Sequence, residues 1–297
     1  MHPHLTSAAT LVTFVLASCA PAVHEASTAS AKTSPRPVVV LMTDFGSKDD
    51  APALLKGVVL SIARDAQVLD LTHEVPPFDI ETGAQDLEDA PGIFPEGTVF
   101  VAVVDPGVGT ARKAIVVELA NGRFLVGPDN GVLSLAMARW GVKSVREIAN
   151  PALQRPHESE TFHGRDVFAP AGAHLAVGSQ RAFAEAGPEL REWVKLKALE
   201  EPAAVVAKID DPYGNIWTSL RESAVFRSAR GEQITFTFSN GKSVKAPLVK
   251  TFGDVKEGQP LAYWNSRGRL SLAINMGDAA KTYGVKRGDK VTISREK

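Results

Sequence analysis

Val38-Val39-Val40-Leu41-Met42-Thr43-Asp44-Phe45-Gly46, followed by Asp49-Asp50 and then Leu54, Leu55, Val58, Val59 and Ile62, is the stretch that decides the fold. Five consecutive apolar residues suit a strand covered on both faces. The apolar residues after Asp50 share one helical face, and the two aspartates suit a helix start. A buried strand leading into an amphipathic helix is the first half of a parallel β-α-β unit. Working outward, Val68-Leu69-Asp70-Leu71 reads as a second strand, and Ile80, Ala84 and Leu87 as a second helix. Residues 99–104 read as a third strand. Short strands at 115–119 and 124–126, with helices at 132–138 and 167–176, carry the alternation to about residue 195. An α/β domain over residues 37–197 follows, with a mostly parallel sheet covered by helices.

The texture changes after Pro202. Residues 205–209, 270–274 and 290–293 read as strands, and Ile234, Phe236 and Phe238 alternate with polar residues ahead of an Asn240-Gly241 hairpin turn. Helical patterns are scarce. Residues 202–297 are therefore expected to form a smaller antiparallel β barrel or sandwich.

The N-terminus differs from both. An uncharged apolar run, residues 11–16, ends at Ala17-Ser18-Cys19-Ala20. It is shorter than the roughly 20 residues a membrane-spanning helix needs and reads as a signal peptide over residues 1–19. Leu16-Ala17-Ser18-Cys19 resembles a bacterial lipobox, in which Cys19 would be lipidated. No Lys or Arg precedes Lys32, which departs from the usual basic start. Residues 20–36, rich in Ala, Ser, Thr and Pro, read as a flexible tether. The expectation is an exported lipoprotein facing the periplasm, touching the membrane only through its lipid; if the signal is not used, the protein stays in the cytoplasm.

The 33 Lys plus Arg nearly balance the 34 Asp plus Glu, for a formal net charge of -1. That balance gives no basic footprint for nucleic acid. Cys19 is the only cysteine, so no intrachain disulfide is possible. Generic catalytic signatures also fail. Gly107-Val108-Gly109 has Arg112 where a dinucleotide fingerprint needs a third glycine. No Lys follows a Gly-rich loop. The seven histidines show no metal-binding spacing, and Ser47 and Ser61 have no nucleophile-elbow context. The expected cofactor and metal are none.

What remains are polar clusters at the carboxyl ends of strands, where open α/β sheets bind ligands. They are Thr43-Asp44-Phe45-Gly46, Asp105-Pro106-Gly107-Val108-Gly109-Thr110-Ala111-Arg112 and Thr161-Phe162-His163-Gly164-Arg165-Asp166. The second domain adds Asp210-Asp211-Pro212-Tyr213-Gly214-Asn215-Ile216-Trp217 and Asn265-Ser266-Arg267-Gly268. Each has a plain alternative. Asp105-Pro106-Gly107 and Asn265–Gly268 are good turns, Phe252 and Trp217 suit packing, and His73, His157 and His174 carry no assigned role.

Taken together and in this order, these clusters resemble the S-adenosyl-L-methionine (SAM) hydroxide adenosyltransferases, relatives of SAM-dependent fluorinating and chlorinating enzymes. The resemblance runs from about Val38 to Ile293. It implies SAM as substrate, and a homotrimer with each active site between one subunit's first domain and a neighbour's second. It also implies a catalytic set of Asp105, Arg112 and His163. Halogenating relatives have tyrosine in place of Asp105, lack the histidine, and in the fluorinating case have serine in place of Gly164. By the same resemblance Asp44 holds the ribose hydroxyls. Phe78 replaces a tryptophan near the ribose, and Phe162 and Phe252 stand at aromatic positions. Asp210 and Ser266, with Arg267 beside them, hold the methionine end, and Asn215 meets the adenine. Ile274 departs from an arginine of the halogenating relatives. The implied reaction is attack of water or hydroxide on ribose C5′, giving adenosine and methionine. Halide-dependent adenosyl transfer and a non-catalytic, lipid-anchored adenosine or SAM binder are the competing readings.

Overall fold

The structure is a computed structural model that describes residues 36–156, 159–196, 203–222 and 231–296. The expected leader with Cys19, and the tether apart from Arg36, lie outside the described residues. Among the described residues no helix is long and apolar enough to cross a membrane.

The elements run β1 (Val38–Thr43), α1 (Ala51–Ile62), β2 (Gln67–Thr72), α2 (Ile80–Leu87), β3 (Val99–Val103), β4 (Ala114–Leu119), β5 (Phe124–Pro128), α3 (Ser134–Trp140), β6 (Val142–Glu147) and α4 (Ala169–Glu185). They continue with β7 (Ala203–Asp210), β8 (Asn215–Arg221), β9 (Gln233–Phe238), β10 (Ser243–Pro247), β11 (Pro260–Trp264), β12 (Arg269–Ile274), α5 (Ala279–Tyr283) and β13 (Lys290–Glu296).

The first sheet has the order β2-β1-β3-β5-β4-β6. Its first four strands are parallel, whereas β4 runs against both β5 and β6. The sheet is therefore mixed. β1 and β3 are central, and their continuous apolar runs are buried on both faces. Helix α4 sits directly on β3: a Cβ at Gly172 would stand 2.4 Å from Val101 Cγ2, so only glycine permits this approach. The central strands end side by side at Thr43 and Val103, placing Asp44 and Asp105 along one edge of the sheet.

The second sheet has seven strands in the order β10-β9-β13-β7-β8-β12-β11, with every pair antiparallel. A bridge between Leu248, just past β10, and Ala262 in β11 brings its two edges together, making a nearly closed barrel. Of the expected alternatives, barrel and sandwich, it is the barrel. Ile216, Ile234, Phe236, Leu270 and Leu272, all fully buried, fill its core.

Cations of the barrel meet acids of α2 and of the residues at its two ends. Glu88 bonds Arg269 and lies 2.6 Å from Arg221, Lys208 reaches Asp86 at 3.2 Å, and Arg287 lies 3.8 Å from Asp79. Glu88 and Arg269 are both buried, so this junction holds ions out of water, where removing one partner is costly.

Candidate active site

Asp105 lies two residues past the end of β3, and Arg112 returns seven residues later at the end of a turn in which Gly109 has φ 78°. Arg112 Nε donates to Asp105 Oδ1 at 2.9 Å, and its Nη2 donates to Oδ2 at 2.5 Å. This is a two-point, charge-assisted fork, whose planarity fixes the guanidinium as well as pairing it. The two side chains are only 10% and 5% exposed. Phe168 underlies the guanidinium, with its ring centre 5.2 Å from Cζ.

His163 enters from another part of the chain. It precedes a single π-helical turn, Gly164–Phe168, which leads into α4; such turns are rare and concentrate at functional sites. Arg165 pairs with the buried Asp166 at 2.7 Å, anchoring the turn. The π turn carries His163 to Arg112: Nη2 and His163 Nδ1 are 2.6 Å apart. A guanidinium can only donate, so Nδ1 is the acceptor and a neutral ring carries its proton on Nε2.

Asp105 and His163 line one cavity of ≈ 380 Å³ together with Asp44, Phe45, Phe78, Phe162 and Gly164. Asp44 Oδ2 accepts the Phe78 N–H at 2.9 Å. Phe78 has φ 67° and is 71% exposed, an unusual conformation for an aromatic residue held at a pocket rim. Phe45 and Phe162 meet edge to face at 5.8 Å. A Cβ on Gly164 would stand 3.2 Å from Phe45 Cζ and 3.4 Å from Phe162 Cε2, so a larger residue there must displace a ring. Asp49 also lines this cavity, and the Ala51 N–H holds its carboxyl below the usual range.

The second-domain residues gather elsewhere. Asp210, Asn215, Phe252 and Ser266 line a separate cavity of ≈ 740 Å³ on the barrel, with Tyr213, Trp217, Tyr263, Ile274 and Met276. The tight turn 211–214 brings Asp210 and Asn215 together, and Asn215 Nδ2 donates to Asp210 Oδ2 at 3.0 Å. Asn265–Gly268 is the β11–β12 hairpin turn. It exposes Ser266 to this cavity, while Arg267 is held elsewhere, its Nε 3.7 Å from Asp89 and its Cζ 5.7 Å from the Trp217 ring centre. Burial, with the charge of Asp210 adding to it, pushes the Tyr263 hydroxyl up to about 12. Met276, like Phe78, has positive φ (58°) and is largely exposed at a cavity rim.

Phe45 and Tyr213 stand inside the quoted clusters without an assigned role, and Tyr263 and Met276 escaped the sequence reading. The aromatic rings of Phe45 and Tyr213 among polar residues were the available signal; nothing local distinguishes Tyr263 or Met276 from core residues. The two cavities share no lining residue. Among the described residues no cluster of three or more His, Cys, Asp or Glu is placed to hold a metal ion.

Family models match both parts of the chain. Residues 39–185 match the SAM hydroxide adenosyltransferase N-terminal domain, and residues 204–292 match the corresponding C-terminal domain. The chain belongs to the SAM hydroxide adenosyltransferase family. It is 39% identical over 271 residues to a Thermus thermophilus protein named (R)-S-adenosyl-L-methionine hydrolase, covering 87% of this chain and 99% of that one. A protein of the same name from Salinispora tropica is 37% identical, with 88% and 99% covered. A fluorinase from Actinoplanes is 30% identical, with 87% and 98% covered. The fold is shared with the crystal structure of an uncharacterized conserved protein from Thermotoga maritima, at TM-score 0.80 and 37% identity, covering 86% of this chain and all of that one. Family membership thus extends to proteins named for two different reactions.

Proposed function

We propose that this member of the family hydrolyses SAM, by attack of water on ribose C5′, to adenosine and methionine. The observation that carries this reading is the Asp105–Arg112–His163 array, whose Asp105 and His163 line the smaller cavity while Arg112 bonds to both. The new bond joins the water oxygen to C5′, the C5′–S bond breaks, and its electron pair neutralises the sulfonium as the methionine thioether. One proton is released, to solvent. Arg112 stabilises the developing hydroxide, Asp105 holds Arg112 in plane, and the Nε2–H of His163 orients the nucleophile. An anion loses its charge against the sulfonium in the transition state, so a dry pocket favours the step. A carboxylate at Asp105 opposes halide binding, which sets this site apart from the halide-using alternative.

Asp44 then holds the ribose hydroxyls, Phe78 and Phe162 flank the nucleoside, and Gly164 leaves space beside it. Asp210, Ser266 and Arg267 take the methionine end, and Asn215 with Phe252 the adenine side. Because these groups divide between two separate cavities, the reading includes a homotrimer in which one subunit's smaller cavity meets a neighbour's barrel cavity. Arg267 would then leave Asp89 to reach the substrate. The relatives' names single out the R sulfonium epimer, and we propose the same preference here.

The test incubates residues 20–297 with each SAM epimer in water enriched in heavy oxygen, with and without chloride, and identifies products by mass spectrometry. Heavy oxygen in adenosine supports the reading. A chlorinated nucleoside would replace it with adenosyl transfer to halide, and bound but intact substrate would leave a binding protein.

A further inference from the structure

Behind Asp44 lies an array, buried at Thr43 and His73 and opening to solvent at Asp70 and Lys56, that the reaction as proposed does not use. Thr43, the last residue of β1, is fully buried, and its Oγ1 accepts the Phe45 N–H at 3.2 Å. The same hydroxyl is 2.8 Å from His73 Nδ1. His73 Nε2 is 3.1 Å from Asp70 Oδ1, and Lys56 Nζ donates to Asp70 Oδ2 at 2.6 Å. His73 is only 7% exposed. Its backbone carbonyl also accepts the Gly46 N–H at 2.7 Å.

One assignment satisfies this array with a neutral ring. Thr43 Oγ1 already accepts from Phe45, so its own proton goes to His73 Nδ1, and Nε2–H donates to Asp70. Burial pushes the Asp70 carboxyl up, but hydrogen bonds from Lys56 and His73 more than offset it, leaving the anion that the Nε2–H donor requires. The β1–β2 register shifts between Leu41 and Met42, so that β2 delivers His73 beneath Thr43. His73 therefore grips both ends of Thr43-Asp44-Phe45-Gly46, by side chain at Thr43 and by main chain at Gly46. Asp44 and Phe45 lie between these grips and both line the cavity, and Asp44 is the one that brings a carboxylate to it.

We infer that His73 is a positioning residue that sets the Asp44 carboxylate for the ribose hydroxyls through Thr43, with Asp70 and Lys56 fixing its ring. The inference rests on the proposed nucleoside role of Asp44. It separates His73 from His163: one ring braces binding, the other faces the reaction.

The experiment is a double-mutant cycle on the full enzyme, reading KM and kcat for SAM. His73→Phe keeps ring volume and removes both hydrogen bonds; about a tenfold rise in KM is expected, with kcat within about twofold of wild type. In an Asp44→Ala background the same change should add less than about twofold, because the residue it acts through is gone. An equal penalty in both backgrounds, or a fall in kcat alone, would overturn the inference. If His73→Phe does not fold, Thr43→Val serves in the cycle, with Thr43→Ser, which keeps the hydroxyl, expected to recover most of the affinity; no recovery would count against it. A wild-type enzyme that neither bound nor cleaved SAM would remove the functional reading and this inference together, and it shows before any variant is made. Additive penalties in an active enzyme defeat the inference alone.

Discussion

Replacing Asp105 with asparagine tests the centre of the proposed reaction with almost no change of shape. Asp105 offers Arg112 two oxygens, one to Nε at 2.9 Å and one to Nη2 at 2.5 Å. Asparagine keeps one oxygen and turns an N–H₂ toward a guanidinium N–H. One charge-assisted bond is lost and a donor faces a donor. A hydrogen bond to a charged group is worth about 1.5–3 kcal/mol, and the unpaired donor adds to the loss. With the Arg112 side chain 10% exposed, solvent makes up little of this. Taking about 3 kcal/mol as the loss of transition-state stabilisation, kcat falls about a hundredfold. KM should stay within about threefold, because Asp105 acts on the nucleophile's side of the reaction and not on the substrate's binding groups. Adenosine release at saturating SAM, followed chromatographically well below the variant's Tm, gives both constants. A folded Asp105→Asn enzyme with kcat within about threefold of wild type would refute the role given to the pair.

Gly164→Ser brings a side chain against Phe45 and Phe162, so turnover should fall about tenfold from ring displacement. With Asp105 still present, mass spectrometry should find no chlorinated nucleoside in chloride buffer. Glu88→Ala leaves buried Arg269 without its anion and should cost about 3–5 kcal/mol in urea unfolding. Removing exposed Arg181 from its pair with Glu185 should cost less than about 0.5 kcal/mol in the same assay. Asp129 is raised by burial, so its contribution is present below the unfolded pKa and is lost as pH rises through the folded one. Asp129→Asn keeps an acceptor for the Val194 N–H without the charge. Its Tm should therefore exceed that of wild type at neutral pH, and the advantage should shrink as pH falls through that window.

The fold was most legible where burial is two-sided. β1 and β3 announce themselves because nothing polar interrupts them, and the clusters that follow them line the smaller cavity. Direction was harder. β4 and β5 form a hairpin through Asn121-Gly122, the same signal that marks the β9–β10 turn, and recognising it would have shown that the sheet is mixed. β6 lies at the sheet edge with Lys143 and Arg146 among its six residues, and charged edges hide a strand's apolar pattern. β8 was concealed differently: Thr218 is fully buried and donates to the Leu270 carbonyl, so an inward position carries a polar residue. That strand begins at Asn215, which the sequence placed only in a polar cluster. The contact of Arg112 with His163 spans 51 residues and depends on a π turn, for which the sequence offers no local signal.

On the proposed reading, the charge arrangement also bears on why water is the nucleophile. Asp105 and Arg112 form a nearly coincident pair of opposite charges, and His163 adds none while its Nδ1 accepts from Arg112. Seen from a few ångströms away, such a pair largely cancels, so the array does little to draw an anion from solution. A halide must arrive charged and shed its water, and the Asp105 carboxylate at the cavity wall opposes it. Water arrives neutral, needs no attraction at a distance, and acquires charge only beside the guanidinium, where the short-range donors act at full strength. The array is thus matched to a nucleophile that is made in place. Turnover should accordingly be nearly independent of chloride concentration once ionic strength is held constant. Competitive inhibition by chloride against SAM, measured that way, would show that the site does gather anions and would return the halide-using mechanism to consideration.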